Sequence, residues 1–196
     1  MNICIYGGSI AWGASDYKCG GWAERLKIYC IENHDDINVY NLGIPGNTTK
    51  DLINRFESEA KTRKSDFIIF AIGTNDSSYI KSKDNPLVSL KEFNKNFLRL
   101  IKIAKKMKNK VLFVGLTRVD QSKTMPVYWD DRVYYDNGNI EKYDADIKKI
   151  CSENKFDYIE MKNIVRLNDL DDGIHPNSHG HEKMFEEVFK SMKKYL

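Results

Sequence analysis

The run Asp66-Phe67-Ile68-Ile69-Phe70-Ala71-Ile72 is the most continuously apolar stretch of the chain. A strand with no alternation between apolar and polar side chains is covered on both faces, as a central strand in a parallel sheet is. Four further runs read as strands: from the first or second residue to Tyr6, and at 37–42, 110–116 and 156–161. Between them apolar residues recur at helical spacing. Trp22, Leu26, Tyr29 and Cys30 mark a helix ending near Asn33 and His34. Leu52, Ile53 and Phe56 are buried by one that Thr48 or Thr49 caps and that runs to about Arg63. Residues 86–108 present Leu90, Phe93, Phe97, Leu100, Ile101, Ala104 and Met107 on one side, residues 139–154 form another helix, and a last one starts near Asn177. Strands alternating with helices throughout predict an α/β fold with a five-stranded parallel sheet and helices on both faces. No repeat, low-complexity tract or linker interrupts the 196 residues, so one domain over 1–196 is expected.

The first strand ends in Gly7-Gly8-Ser9. That places Ser9 at the carboxyl end of a buried strand, where ligands bind in open α/β sheets. Three readings fit: a nucleophile, a serine capping the next helix, and a glycine loop that cradles phosphate. The stretch is not G-x-S-x-G, because Ala11 stands where that turn wants glycine, and it lacks the lysine of a P-loop and the third glycine of a dinucleotide fingerprint.

Asp172-Gly173-Ile174-His175-Pro176-Asn177 sharpens the choice. A residue before proline avoids helical geometry, so His175 is held in an extended or turn conformation ahead of the last helix. Asp172, three residues earlier and followed by glycine, can fold back onto the imidazole. With Ser9 as nucleophile, His175 as general base and Asp172 as its orienter, the chain carries every role of serine acyl transfer.

These residues bring the sequence to a resemblance. It resembles the SGNH hydrolases, also called GDSL-type esterases and lipases, in four blocks taken in order: Gly7-Gly8-Ser9-Ile10, Gly43 within Asn41-Leu42-Gly43-Ile44-Pro45-Gly46-Asn47, Asn75 within Gly73-Thr74-Asn75-Asp76, and His175 within the stretch above. The resemblance implies a flavodoxin-like three-layer α/β/α sandwich, ester hydrolysis without a metal or other cofactor, and an oxyanion hole made of the Ser9 and Gly43 backbone N–H groups and the Asn75 side-chain amide. One departure is plain: Gly8 stands where the family name has Asp, and Ile10 replaces its Leu.

Other features narrow the partners. Lys and Arg number 31 against 28 Asp and Glu, a formal charge of +3, too small and too evenly spread for nucleic acid or an anionic membrane. Signal-peptide features are not visible, and no apolar run approaches the ~20 residues that span a bilayer. Cys4, Cys19, Cys30 and Cys151 follow neither a zinc nor a disulfide pattern. A cytoplasmic protein with reduced thiols is the expectation. His179 and His181 point about 160 degrees apart on an ideal helix, which argues against a shared metal.

Residues 117–138 show no clean period and hold Tyr128, Trp129, Tyr134 and Tyr135. A loop that long in a compact domain usually has a function, and its aromatic and polar make-up suits a wall for a polar, ring-shaped ligand better than a trough for a long acyl chain. The expected substrate is a small ester, an acetylated sugar or related polyol. A lysophospholipase or thioesterase remains the alternative among enzymes, and a catalytically silent binding module the alternative outside them.

Overall fold

Odd and even residues part company along β1 (Asn2–Gly7). Ile3 and Ile5 enter one apolar cluster and Cys4 and Tyr6 another, because successive side chains on a strand point to opposite faces. The computed structural model describes residues 1–196. After β1 come α1 (Ser9–Trp12), α2 (Trp22–Asn33), β2 (Asn38–Gly43), α3 (Thr49–Thr62), β3 (Phe67–Ala71), β4 (Tyr79–Ile80) and α4 (Leu90–Lys106). Then follow β5 (Lys110–Val114), α5 (Gln121–Thr124), β6 (Val133–Tyr134), α6 (Asn137–Asn154), β7 (Asp157–Ile159) and α7 (Ser178–Met192).

Five of the strands form one parallel sheet in the order β2-β1-β3-β5-β7. Counted along that sheet alone, this is the 2-1-3-4-5 order of flavodoxin-like folds. Trp22 and Leu26 of α2 and Met184 and Val188 of α7 cover one face with Ile3, Ile5, Phe67 and Ile69. Phe56 of α3, Phe93 and Phe97 of α4 and Ile147 of α6 cover the other with Tyr6, Ile68, Phe70 and Phe113. Each such side chain contributes roughly 1.5–3 kcal/mol by leaving water, so the sheet is a rigid base for the loops at its carboxyl edge. Gly7 pairs with both Gly43 and Ala71, which brings the ends of β1, β2 and β3 level.

Two expectations are corrected. The helix read over 86–108 begins only at Leu90, capped by the Ser89 hydroxyl on the Glu92 N–H. Before it, Pro86 bridges to Tyr79 and the Leu87 N–H donates to the Ser78 carbonyl at 2.8 Å, so the chain there is tied to the β3 loop instead. Residues 117–138, read as one long loop, contain α5 and β6, and β6 pairs antiparallel with β4 in a two-stranded ribbon. No helix is long and apolar enough to cross a membrane. The four cysteines are unbridged, with Cys19 exposed and the others buried.

Candidate active site

Ser9 is the first residue of α1, a single turn directly after β1, and its N–H therefore has no acceptor within the helix. Its Oγ lies 2.8 Å from His175 Nε2. The other ring nitrogen, Nδ1, lies 2.6 Å from Asp172 Oδ2. A carboxylate only accepts, so Nδ1 carries a proton, and in the neutral ring the Nε2 lone pair then faces the serine hydroxyl. The loop is rigid for local reasons: Asp172 Oδ1 accepts the N–H groups of Ile174 and His175, each at 2.9 Å, and the Asp171 N–H donates to the His175 carbonyl at 2.9 Å. Burial pushes the Asp172 carboxyl up, but the His175 ring and the two N–H donors outweigh it and hold the group down at about 2. Asp172 thus stays ionised. A serine hydroxyl aimed at an imidazole that is fixed by a carboxylate can act as an activated nucleophile.

Asn75 follows β3 and is held at both ends. Its Nδ2 donates to the Asn47 carbonyl at 2.9 Å, and its Oδ1 accepts the Tyr135 hydroxyl at 3.0 Å. Its own carbonyl accepts the Ser78 hydroxyl at 2.8 Å. The amide nitrogen also lies beside Gly8, where a Cβ would stand 2.9 Å from it. The glycine that replaces the family's Asp therefore gives Asn75 room to sit against the Ser9 loop.

Gly43, expected as an oxyanion donor, has its N–H engaged within the chain. Its N–H donates to Asn41 Oδ1 at 3.1 Å, and its α-carbon is packed so closely under α1 that a Cβ would lie 2.4 Å from the Trp12 nitrogen. It serves close packing of β2 on α1. Three residues on, Gly46 lies in an exposed turn, its N–H without any acceptor in the chain and its Cβ position open. It adjoins Asn47, whose carbonyl holds Asn75.

The four aromatic residues expected to line the site part ways. Trp129 is 47% exposed and its ring centre lies 6.1 Å from that of His175, tilted by 30°. Tyr128, 81% exposed, packs edge-on against Trp129. Tyr134 stacks on Tyr79 within the β4–β6 ribbon, its ring engaged there. Tyr135 is buried and meets the site with its hydroxyl on Asn75 Oδ1, which corrects its reading as a pocket wall. Asn47 closes the block read around Gly43, where sequence reasoning assigned it no role of its own.

His181 is buried between the Trp22 N–H and the Ala14 carbonyl, whereas His179 is exposed beside Glu182. No three His, Cys, Asp or Glu side chains converge in a metal-binding arrangement. A recess of about 20 Å³ is lined by Gly8, Ser9, Ile10, Asn47, Asn75 and the chain from Ala71 to Thr74. A cavity of about 610 Å³ between Arg118, Gln121 and Arg166 does not include Ser9, Asn75 or His175.

Comparison with known proteins follows the same lines. The model of the GDSL-like Lipase/Acylhydrolase family matches residues 5–183. The chain is 30% identical over 96 residues to the uncharacterized lipoprotein YqeF of Bacillus subtilis (strain 168), a match covering 48% of this chain. It spans only 38% of the length of that curated relative. Among solved structures, the fold is similar to that of TesA, with a TM-score of 0.78, 18% identity and full coverage of both chains. It is also similar to a catalytic mutant of Axe2, an acetylxylan esterase from Geobacillus stearothermophilus, with a TM-score of 0.77 and 18% identity over 98% of this chain and 94% of that one.

Proposed function

This chain belongs to the GDSL-like Lipase/Acylhydrolase family, whose members are ester hydrolases, and we propose that it removes short acyl groups, acetyl above all, from a carbohydrate or similar polyol. The observation that carries this reading is that Ser9, hydrogen-bonded to His175, lines a recess of only about 20 Å³. A space of that size holds roughly one water molecule or methyl group. A lysophospholipase or acyl thioesterase needs a long apolar trough at the serine, and the cavities of about 400 to 620 Å³ lie elsewhere, lined without Ser9.

In this mechanism His175 Nε2 takes the Ser9 proton as Oγ attacks the ester carbonyl. Asp172 stabilises the resulting imidazolium. The tetrahedral oxyanion is met by the Ser9 N–H and the second hydrogen of Asn75 Nδ2, while the Gly43 N–H is engaged by Asn41 Oδ1. Each such donor contributes roughly 3 kcal/mol in the transition state. His175 then returns the proton to the leaving alcohol, and water, deprotonated by the same ring, releases acetate. The leaving alcohol must lie beside His175, so the exposed Trp129 ring is the platform on which a sugar ring stacks. The likeness to Axe2 agrees with that substrate class. A cytoplasmic location belongs to the same proposal and is supported by four unbridged thiols.

The test uses nitrophenyl esters from acetyl to octanoyl, a panel of acetylated sugars, acyl-coenzyme A and lysophospholipid. Activity should peak at acetyl and fall steeply beyond about four carbons, because each methylene that fitted an apolar pocket would add roughly 1 kcal/mol or more in favour of the longer ester. Rising activity toward octanoyl would replace this reading with the lipid or thioester one. Covalent labelling of Ser9 by a fluorophosphonate separates an esterase from a silent binding module.

A further inference from the structure

An oxyanion donor works only if its hydrogen is already aimed, and the carboxamide of Asn75 can turn over. Its two ends differ in chemistry but hardly in shape, so its neighbours decide which end meets the substrate. The Asn47 carbonyl, 2.9 Å from Nδ2, can only accept, which draws the NH2 end to that side. At the other end stands the Tyr135 hydroxyl, 3.0 Å from Oδ1 and 60 residues away in sequence. A phenol that donates to Oδ1 completes the fixation.

Tyr135 is well placed to hold that aim. It is 7% exposed, its N–H donates to the Thr124 carbonyl at 2.9 Å, and its carbonyl accepts the Thr124 hydroxyl at 2.9 Å. Thr124 closes α5, and the Asp120 N–H at the head of the same turn donates to the Gly173 carbonyl at 2.8 Å, inside the loop that carries Asp172 and His175. One short turn therefore supports both the base loop and the phenol behind Asn75. Burial pushes the Tyr135 phenol up to about 12, so it keeps the proton it donates.

We infer that Tyr135 is a positioning residue for ester hydrolysis. By donating to Asn75 Oδ1 it locks the carboxamide so that one Nδ2 hydrogen binds Asn47 and the other is presented at the Ser9 recess. This rests on the esterase reading above and deepens it: the residue never touches substrate, and its effect passes wholly through Asn75.

The experiment is a double-mutant cycle of Tyr135→Phe and Asn75→Ala on nitrophenyl acetate, with the side-chain amide signals of 15N-labelled protein as a second readout. Tyr135→Phe keeps the ring and should leave the melting temperature within a few degrees and KM within about twofold, while kcat falls roughly tenfold or more, part of the hundredfold or more that loss of a donor costs. In the Asn75→Ala background the same change should cost nothing further. The Asn75 amide pair, identified by its absence in Asn75→Ala, should shift or broaden in Tyr135→Phe. Wild-type kcat in Tyr135→Phe, an equal fall in both backgrounds, or unchanged Asn75 signals overturns the assignment. If the wild-type chain hydrolyses no ester and Ser9 does not label, the esterase reading fails instead, and the amide signals alone then decide whether Tyr135 locks Asn75.

Discussion

The Asp76 carboxylate accepts the Thr49 backbone N–H at 3.0 Å and the Thr49 hydroxyl at 2.5 Å. A residue of the loop after β3 thus satisfies the first turn of α3, and the pair joins the segment that carries Asn47 to the one that carries Asn75. Both residues are fully buried. Burial raises the Asp76 carboxyl to about 6 against the pull of the Thr49 hydrogen bonds.

That relationship has a pH signature. An unfolded aspartate titrates near ~3.9, so between about 4 and about 6 the folded chain binds more protons than the unfolded one. Stability from this group therefore falls as pH rises through that window, by on the order of 2 kcal/mol. Thermal melts of wild type and Asp76→Asn from pH 4 to 8 should show wild type losing ground to the variant as pH rises. A constant difference across the range contradicts the buried, raised carboxyl.

The Ser9–His175–Asp172 arrangement predicts losses that do not add. Ser9→Ala and His175→Ala should each abolish ester hydrolysis without lowering the melting temperature, and the double variant should be no worse than either. Asp172→Asn removes the charge that fixes the imidazole and should lower kcat by roughly a thousandfold or more. Steady-state rates checked against far-UV circular dichroism decide this, and near-wild-type turnover in Ser9→Ala rules out the serine mechanism.

Trp129 separates alcohol recognition from chemistry. Loss of a stacking contact costs roughly 0.5–1.5 kcal/mol, so Trp129→Ala should raise KM for an acetylated sugar about three- to tenfold with little change in kcat. Unaltered KM would place the sugar elsewhere.

His181 predicts acid sensitivity. The Trp22 N–H donates to its Nδ1 at 3.3 Å and its Nε2–H donates to the Ala14 carbonyl at 3.0 Å, which fits the neutral ring alone. Burial lowers its pKa, opposed by the Ala14 bond and by Asp16 nearby. The unfolded chain then takes up the proton first, so stability is lost as pH falls through about 6.5 toward the lower folded value. Melts from pH 8 to 5 should show a steeper decline in wild type than in His181→Gln, and parallel curves would contradict it.

Much of the fold was legible because it is written in short-range patterns. The apolar run at 66–72 and the helical recurrence in α2, α3 and α7 are periodicities of single elements, and the parallel sheet follows from their alternation. Ser9 was legible from its place after a strand and two glycines. Asp172 and His175 were legible because three residues and a proline suffice to bring carboxylate and ring together.

The tertiary structure decided what depends on neighbours distant in sequence. Gly43 and Gly46 look alike as letters, but the N–H of the first is taken by Asn41 Oδ1 while that of the second is free. Tyr135 reads as one aromatic among four until the fold sets its hydroxyl behind Asn75. The β4–β6 ribbon has two residues in each strand, too few to show a period, and exists because the chain ends around it are brought together. Local spacing determined which residues could do chemistry, whereas packing of the loops at the sheet edge determined which donors are spent within the fold and which remain for a ligand.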